Sequence, residues 1–170
     1  DLDGRWRWLL FDTDLGYGHP WSGGYSENSL AYAIDPNGRP GVNAPWSTAM
    51  LRGLVANPEF RNRFITRFAD ALNSVFRENV ASNVIEGLQA AIAPAIGDHI
   101  DRWRTAGDST NGWRNEVRVL RLFASQRPAY VRQHVVTQFH LPGYATVGLD
   151  TIPHGGGALR IGELLVDEIG

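Results

Sequence analysis

Along the middle of the chain, apolar positions recur every three or four residues; a spacing of two is confined to stretches near its ends. Trp46, Met50, Leu51, Leu54 and Val55 predict a first helix that runs up to Asn57. Asn57-Pro58-Glu59 then opens a second. It supplies a side-chain acceptor for free N–H groups, a proline where no N–H is needed, and an acid beside the positive helix end. The broad apolar face of this helix carries Phe60, Phe64, Ile65, Phe68, Leu72, Val75 and Phe76, with Arg61, Asn62, Arg63 and Asp70 largely off it. Ser82 is the expected cap of a third helix, apolar along Val84, Ile85, Leu88, Ile92, Ile96, Ile100 and Trp103, which Pro94 must kink or split. Beyond a loop from Gly107 to Gly112, Trp113, Val117, Leu120 and Phe123 predict a fourth. Pro128 opens a fifth, with Val131, Val135 and Val136 inward.

The remaining segments read differently. Residues 5–12 follow an Asp3-Gly4 turn signal and predict a short strand. Residues 15–45, rich in Gly, Pro, Ser and Asn, predict a long irregular loop of the kind that is usually functional or mobile. Tyr144–Leu149 and Ala158–Ile161 predict a hairpin around Gly155-Gly156-Gly157. The expected fold is mainly α, of the α+β class: N-terminal strand, long loop, a helical lobe of about five helices, then a C-terminal β-hairpin. Residues 1–140 form the lobe and 141–170 begin a β-rich appendage. Strands and helices do not alternate, which argues against a doubly wound parallel sheet. The opening Asp-Leu-Asp-Gly is expected to be a turn before a strand rather than a natural beginning.

Composition narrows the function classes. With 43% hydrophobic residues and six Trp in 170, the chain has the makings of a folded core. A net charge of −2 gives no footprint for nucleic acid. No apolar stretch reaches membrane-spanning length, and no signal-peptide pattern stands at the start. The absence of cysteine removes disulfides and thiolate metal sites without selecting a redox compartment.

The candidate chemistry lies where the first strand ends. Trp8-Leu9-Leu10-Phe11 runs into Asp12-Thr13-Asp14, and Gly16-Tyr17-Gly18 comes next. Two carboxylates two residues apart share a face of a strand, and hard oxygen donors suit Mg²⁺ or Mn²⁺ and an ATP phosphate tail. The alternative is that Asp-x-Asp before glycine is turn chemistry, its carboxylates accepting backbone hydrogen bonds. Other groups offer less. His134 and His140 stand six apart with no metal-binding spacing, and Ser22, Ser26 and Ser29 lack a nucleophile elbow. The glycine triplet at 155–157 reads as a turn. Arg61, Arg63, Arg67, Arg102 and Arg104 read as solvated helix faces. All 16 basic residues are arginine. A protein kinase needs a lysine to pair the ATP phosphates, so these residues alone are not expected to make a working kinase.

Trp6 to Gly18 resembles the acidic signature of the spore-coat CotH kinase family, bacterial secreted or surface-associated atypical protein kinases. The resemblance continues through Trp46-Ser47-Thr48, Asn57–Phe64, Arg67–Asn73, Ile92–Ile96 and His99–Trp103 to Arg127-Pro128, covering roughly residues 3–140. It implies the large lobe of an atypical kinase, with Asp12 as metal ligand and Asp14 second in line, both also facing the cofactor, Mg or Mn with ATP. It also implies an extracytoplasmic, secreted or surface location and a protein substrate on a cell or spore surface. The family's phosphate-binding Lys, catalytic-loop Asp and Asn lie upstream of this signature, so the chain is expected to be a fragment that exposes an apolar face and self-associates. A non-catalytic helical scaffold or surface-assembly module is the alternative.

Overall fold

The computed structural model describes residues 4, 13, 16–19, 21, 23–39, 43–104, 107, 109–150, 152–153, 156–161 and 164–166. The strand expected over residues 5–12 lies outside them.

Residues 15–45 are less irregular than expected: α1, Ser29–Ile34, forms within them. Asn28 caps it, its side chain accepting from the Ala31 N–H at 3.0 Å. The Asp35-Pro36-Asn37-Gly38 turn stops it, with the Asp35 carboxylate accepting from the Asn37 N–H at 2.8 Å. Gly38 takes φ +65°, and a Cβ there would collide with the Asn43 carbonyl oxygen. Arg39 and Asn43 then pair through mutual backbone hydrogen bonds of 2.7 and 2.8 Å. Capping and turn residues outweighed a loop-like composition.

α2 (Ala49–Ala56) is shorter than the apolar pattern implied. Trp46 lies in the turn before it and is 80% exposed, Met50 is also exposed, and Val55 alone of its residues is buried. α3 (Pro58–Leu72) starts as expected, Asn57 accepting from the Phe60 N–H at 3.1 Å. It ends earlier than the pattern implied. The Ser74 hydroxyl donates to the Asp70 carbonyl at 2.6 Å and the Phe76 N–H to the Ala71 carbonyl at 2.9 Å, winding the chain out of the helix. Val75 and Phe76 are exposed as a result. Within α3, Phe60, Phe64 and Phe68 stack along one face with centroids 6.2 and 4.9 Å apart.

α4 (Glu78–Ile92) begins one turn before Ser82, with Arg77 in the extended capping position and Glu78 as the acid of its first turn. Pro94 splits the next stretch. A 3-10 turn over Ala93–Ala95 leads into α5 (Ile96–Trp103), closed by Arg104 in the left-handed region at φ 48°.

The fourth and fifth predicted helices are one: α6, Thr110–Gln138, 29 residues long with Pro128 inside it. Ser109 caps it, accepting from the Gly112 N–H at 2.9 Å. Pro128 has no N–H for the Ala124 carbonyl one turn back, so this helix loses a hydrogen bond there. It continues because Val117, Ala124, Pro128, Val131 and Val135 succeed one another at steps of seven, four, three and four. The apolar stripe therefore crosses the proline without a phase break, and packing decides the outcome.

The core sits between α4 and α6, where Ala81 and Ile85 meet Val117 and Ala124 and Trp113 packs beside them. Two alanines at this crossing let the helix backbones approach closely. No polar or charged residue is buried among the described residues. Arginines on α6 fasten its neighbours. Arg121 donates to Gln89 on α4 at 2.6 Å and stands 3.9 Å from Glu86. Arg132 donates to the Leu72 carbonyl at 3.2 Å and to Asn73 Oδ1 at 2.8 Å.

Near the C-terminus the expected hairpin between 144–149 and 158–161 does not form. Residues 141–150 have no regular structure, and β1 (Leu159–Ile161) pairs antiparallel with β2 (Leu164–Val166) instead. Leu159 faces Val166 and Ile161 faces Leu164 in that register. The shorter connection between 161 and 164 wins over one across the glycine triplet, as loop-closure entropy favours.

Candidate functional site

Asp12 and Asp14, the residues on which the sequence centres its chemistry, lie outside the described residues. Thr13, which stands between them in the chain, and Gly16 to His19 are described. The Gly16 N–H donates to the Thr13 carbonyl at 2.9 Å, and the His19 N–H to the Gly16 carbonyl at 3.2 Å. Tyr17 adopts φ 53°, a conformation that costs an ordinary side chain about 1–2 kcal/mol, so its surroundings must hold it there. Its ring lies 4.9 Å from that of Phe123 on α6. Gly18, at φ +88°, passes so close to α6 that a Cβ would stand 3.3 Å from the Phe123 ring and 3.4 Å from Val119. The left-handed geometry favours glycine there, and a Cβ would also press slightly on α6. The segment just after the acidic pair is thus seated on the middle of α6.

One turn further along α6, Arg127 reaches a different part of the chain. Its guanidinium donates to the backbone carbonyls of Tyr25, at 2.8 Å, and Glu27. It also lies 5.8 Å over the Phe123 ring. Burial lowers its pKa while the Glu27 charge opposes that. Glu27 in turn pairs with Arg39 at 2.8 Å. The Tyr32 hydroxyl, followed by Arg39, holds the Glu27 carboxyl below its ordinary pKa, and the same hydrogen bond raises Tyr32. Arg39 stacks 4.4 Å from the Tyr32 ring centre, and the Asn43 amide donates to the Tyr32 carbonyl at 3.0 Å. Gly23 completes the seat, because a Cβ there would collide with the Glu27 carboxylate. Tyr25 packs on Tyr130 at 5.6 Å, and Tyr130 on His134 at 6.3 Å. Burial and the nearby Arg127 charge lower the His134 pKa.

Between α3, α4 and α6, beneath Tyr17, a cavity of about 450 Å³ opens. Phe64, Phe68, Leu72, Phe76, Phe123 and Val131 are among the apolar residues of its wall, with Arg67 and Arg127 as the charged lining residues. Among the described residues this wall has no carboxylate and no Ser, Thr or Cys; Tyr17, Arg67 and Arg127 are its polar side chains, and the rest can shelter an apolar group. Elsewhere the described residues contain no group of three or more His, Cys, Asp or Glu able to hold a metal ion. His134 lies half-buried on α6, and His140 is exposed past its end at φ 51°.

Arg127, Glu27, Tyr32 and Arg39 did not stand out in the sequence as a unit. Arg127 was visible only as the residue before a proline. Its contacts join positions 100 and 102 apart in the chain, a separation that no local spacing reveals.

No curated protein and no solved structure gives a match to this chain. A family model described as "CotH kinase protein" matches residues 1–131, a span that takes in the acidic segment, the loop that Arg127 holds, and the helices up to that part of α6. Since this match covers well over half of the 170 residues, the chain belongs to the CotH kinase protein family.

Proposed function

We propose that Asp12, with Asp14 second, holds Mg²⁺ or Mn²⁺ at the phosphates of ATP, and that the full-length protein phosphorylates surface proteins outside the cytoplasm. The family match over residues 1–131 carries this reading, because it includes the acidic pair at the end of an apolar run. The donor chemistry fits, since paired carboxylates are what these hard ions prefer. When bound, the ion offsets negative charge on the phosphate oxygens during phosphoryl transfer.

The chain's own contribution is to hold and aim. Asp12 and Asp14 offer their oxygens to the ion. Tyr17 and Gly18 tie the residues after them to α6 through contacts with Phe123 and Val119. No lysine is present in the 170 residues, so none of them supplies the lysine with which a protein kinase pairs the ATP phosphates. The same observation favours a second reading, a non-catalytic helical scaffold in surface assembly.

Titration of Mn²⁺–ATP into the full-length protein and its Asp12→Asn form, read by the electron paramagnetic resonance of free Mn²⁺, separates the two. The metal reading expects at least a tenfold loss of affinity in Asp12→Asn. Equal, measurable affinity in both forms removes Asp12 from the site, and absence of Mn²⁺–ATP binding by the native protein leaves the scaffold.

A further inference from the structure

We propose that Arg127 is a positioning residue for the acidic segment, fastening the loop that comes after Asp12 and Asp14 so that loop order and metal–nucleotide binding are coupled. The inference rests on the metal reading of that pair and adds to it a part of the chain more than a hundred residues away.

Three observations carry it. Arg127 bridges α6 to two carbonyls of the loop, those of Tyr25 and Glu27. The ring beneath its guanidinium is Phe123, which also receives Tyr17 and Gly18. Successive turns of one helix therefore hold both ends of the stretch from Tyr17 to Glu27. Finally, the loop is braced internally where Arg127 grips it, through Glu27 with Tyr32 and Arg39. A guanidinium suits this task because its planar fork addresses two acceptors at once, whereas an ammonium is a point charge.

Tyr17 adds a reason for the coupling. Its left-handed backbone persists only while surrounding contacts hold it. Releasing the loop removes one of the two anchors on the stretch from Tyr17 to Glu27, a stretch that begins three residues after Asp14 in the chain, and loosens the turn at Tyr17. By thermodynamic reciprocity, ligand binding at the acids must then tighten the loop.

The test combines amide hydrogen exchange over residues 23–39 with Mn²⁺–ATP affinity in the full-length protein. It compares the native form with Arg127→Met, Arg127→Lys, Asp12→Asn and, as a surface control on α6, Arg114→Gln. In the native protein, Mn²⁺–ATP slows exchange of the loop. In Arg127→Met, loop exchange without ligand rises roughly tenfold, the scale of losing charge-assisted hydrogen bonds, and Mn²⁺–ATP affinity falls several-fold. Arg127→Lys recovers part of both, and Arg114→Gln changes neither. In Asp12→Asn the loop exchanges as in the native protein, but Mn²⁺–ATP no longer protects it.

Faster loop exchange in Arg127→Met with native affinity overturns the positioning role and leaves a purely structural contact. Native affinity in Asp12→Asn overturns the metal reading instead, and the coupling falls with it. Should Arg127→Met fail to fold, Arg127→Lys decides: native values for both loop exchange and affinity would overturn the proposal.

Discussion

Replacing Pro128 by alanine tests why α6 runs unbroken. In a helix interior proline is disfavoured relative to alanine by about 3 kcal/mol, through the missing N–H and the clash of its ring with the preceding turn. Pro128→Ala gives residue 128 an N–H to donate to the Ala124 carbonyl. Against this stands the loss of two ring methylenes from a half-buried site at the cavity wall. At about 0.8 kcal/mol per fully buried methylene, half-burial makes that loss about 1 kcal/mol. The net expectation is a gain of about 1–2 kcal/mol, or a rise in Tm of roughly 2–8 °C for a chain of this size. Thermal unfolding followed by circular dichroism at 222 nm, with urea unfolding as a second measure, reads the change. A lower Tm with unchanged helical signal would show that the ring's packing outweighs the backbone bond, and the apolar stripe could no longer be credited with carrying α6 across a costly proline.

Two further outcomes are expected. Ile85 is 7% exposed at the α4–α6 crossing, so Ile85→Ala should lose about 2–4 kcal/mol, seen as a lower urea midpoint at unchanged slope; a loss under about 1 kcal/mol would move the core elsewhere. Glu27 has its folded pKa depressed, chiefly by the Tyr32 hydroxyl, so its bracing of the loop is complete above the unfolded carboxylate value of about 4.3 and is lost as pH falls through the lower folded value. Amide exchange over residues 23–39, corrected for intrinsic rates, should therefore accelerate below that pH in the native protein and much less in Glu27→Gln; identical profiles would refute the Glu27 brace.

Much of the helical order was legible because it rests on local signals. Asn57-Pro58-Glu59 opens α3 as its chemistry dictates, and Pro94 divides α4 from α5. Boundaries set by competition were harder to read. Val75 and Phe76 continue the α3 period, but Ser74 and Asn73 end the helix before them. Pro128 carries a helix-start signal that an unbroken apolar stripe overrides, and the stripe was present in the sequence all along. Asn28 was likewise an unread cap inside a segment whose glycines and prolines suggested only loop.

The candidate site divides along similar lines. The acidic pair could be found from hydrophobicity and spacing, and the family match includes it. The Arg127 contacts could not, because they depend on how a helix near residue 127 returns to a loop near residue 26. Nothing in the polarity of a single arginine predicts such a partner.

The arginines of α6 give the architecture one further property. Apart from the longer approach of Arg121 to Glu86, the groups that accept from Arg121, Arg127 and Arg132 are uncharged: an amide oxygen of Gln89, the carbonyls of Tyr25, Glu27 and Leu72, and the side chain of Asn73. Mobile ions weaken attraction between exposed opposite charges, but they have far less hold on a guanidinium bound to a neutral oxygen. The relative placement of α3, α4 and the loop around α6 is therefore set by contacts that dilution or brine should scarcely disturb.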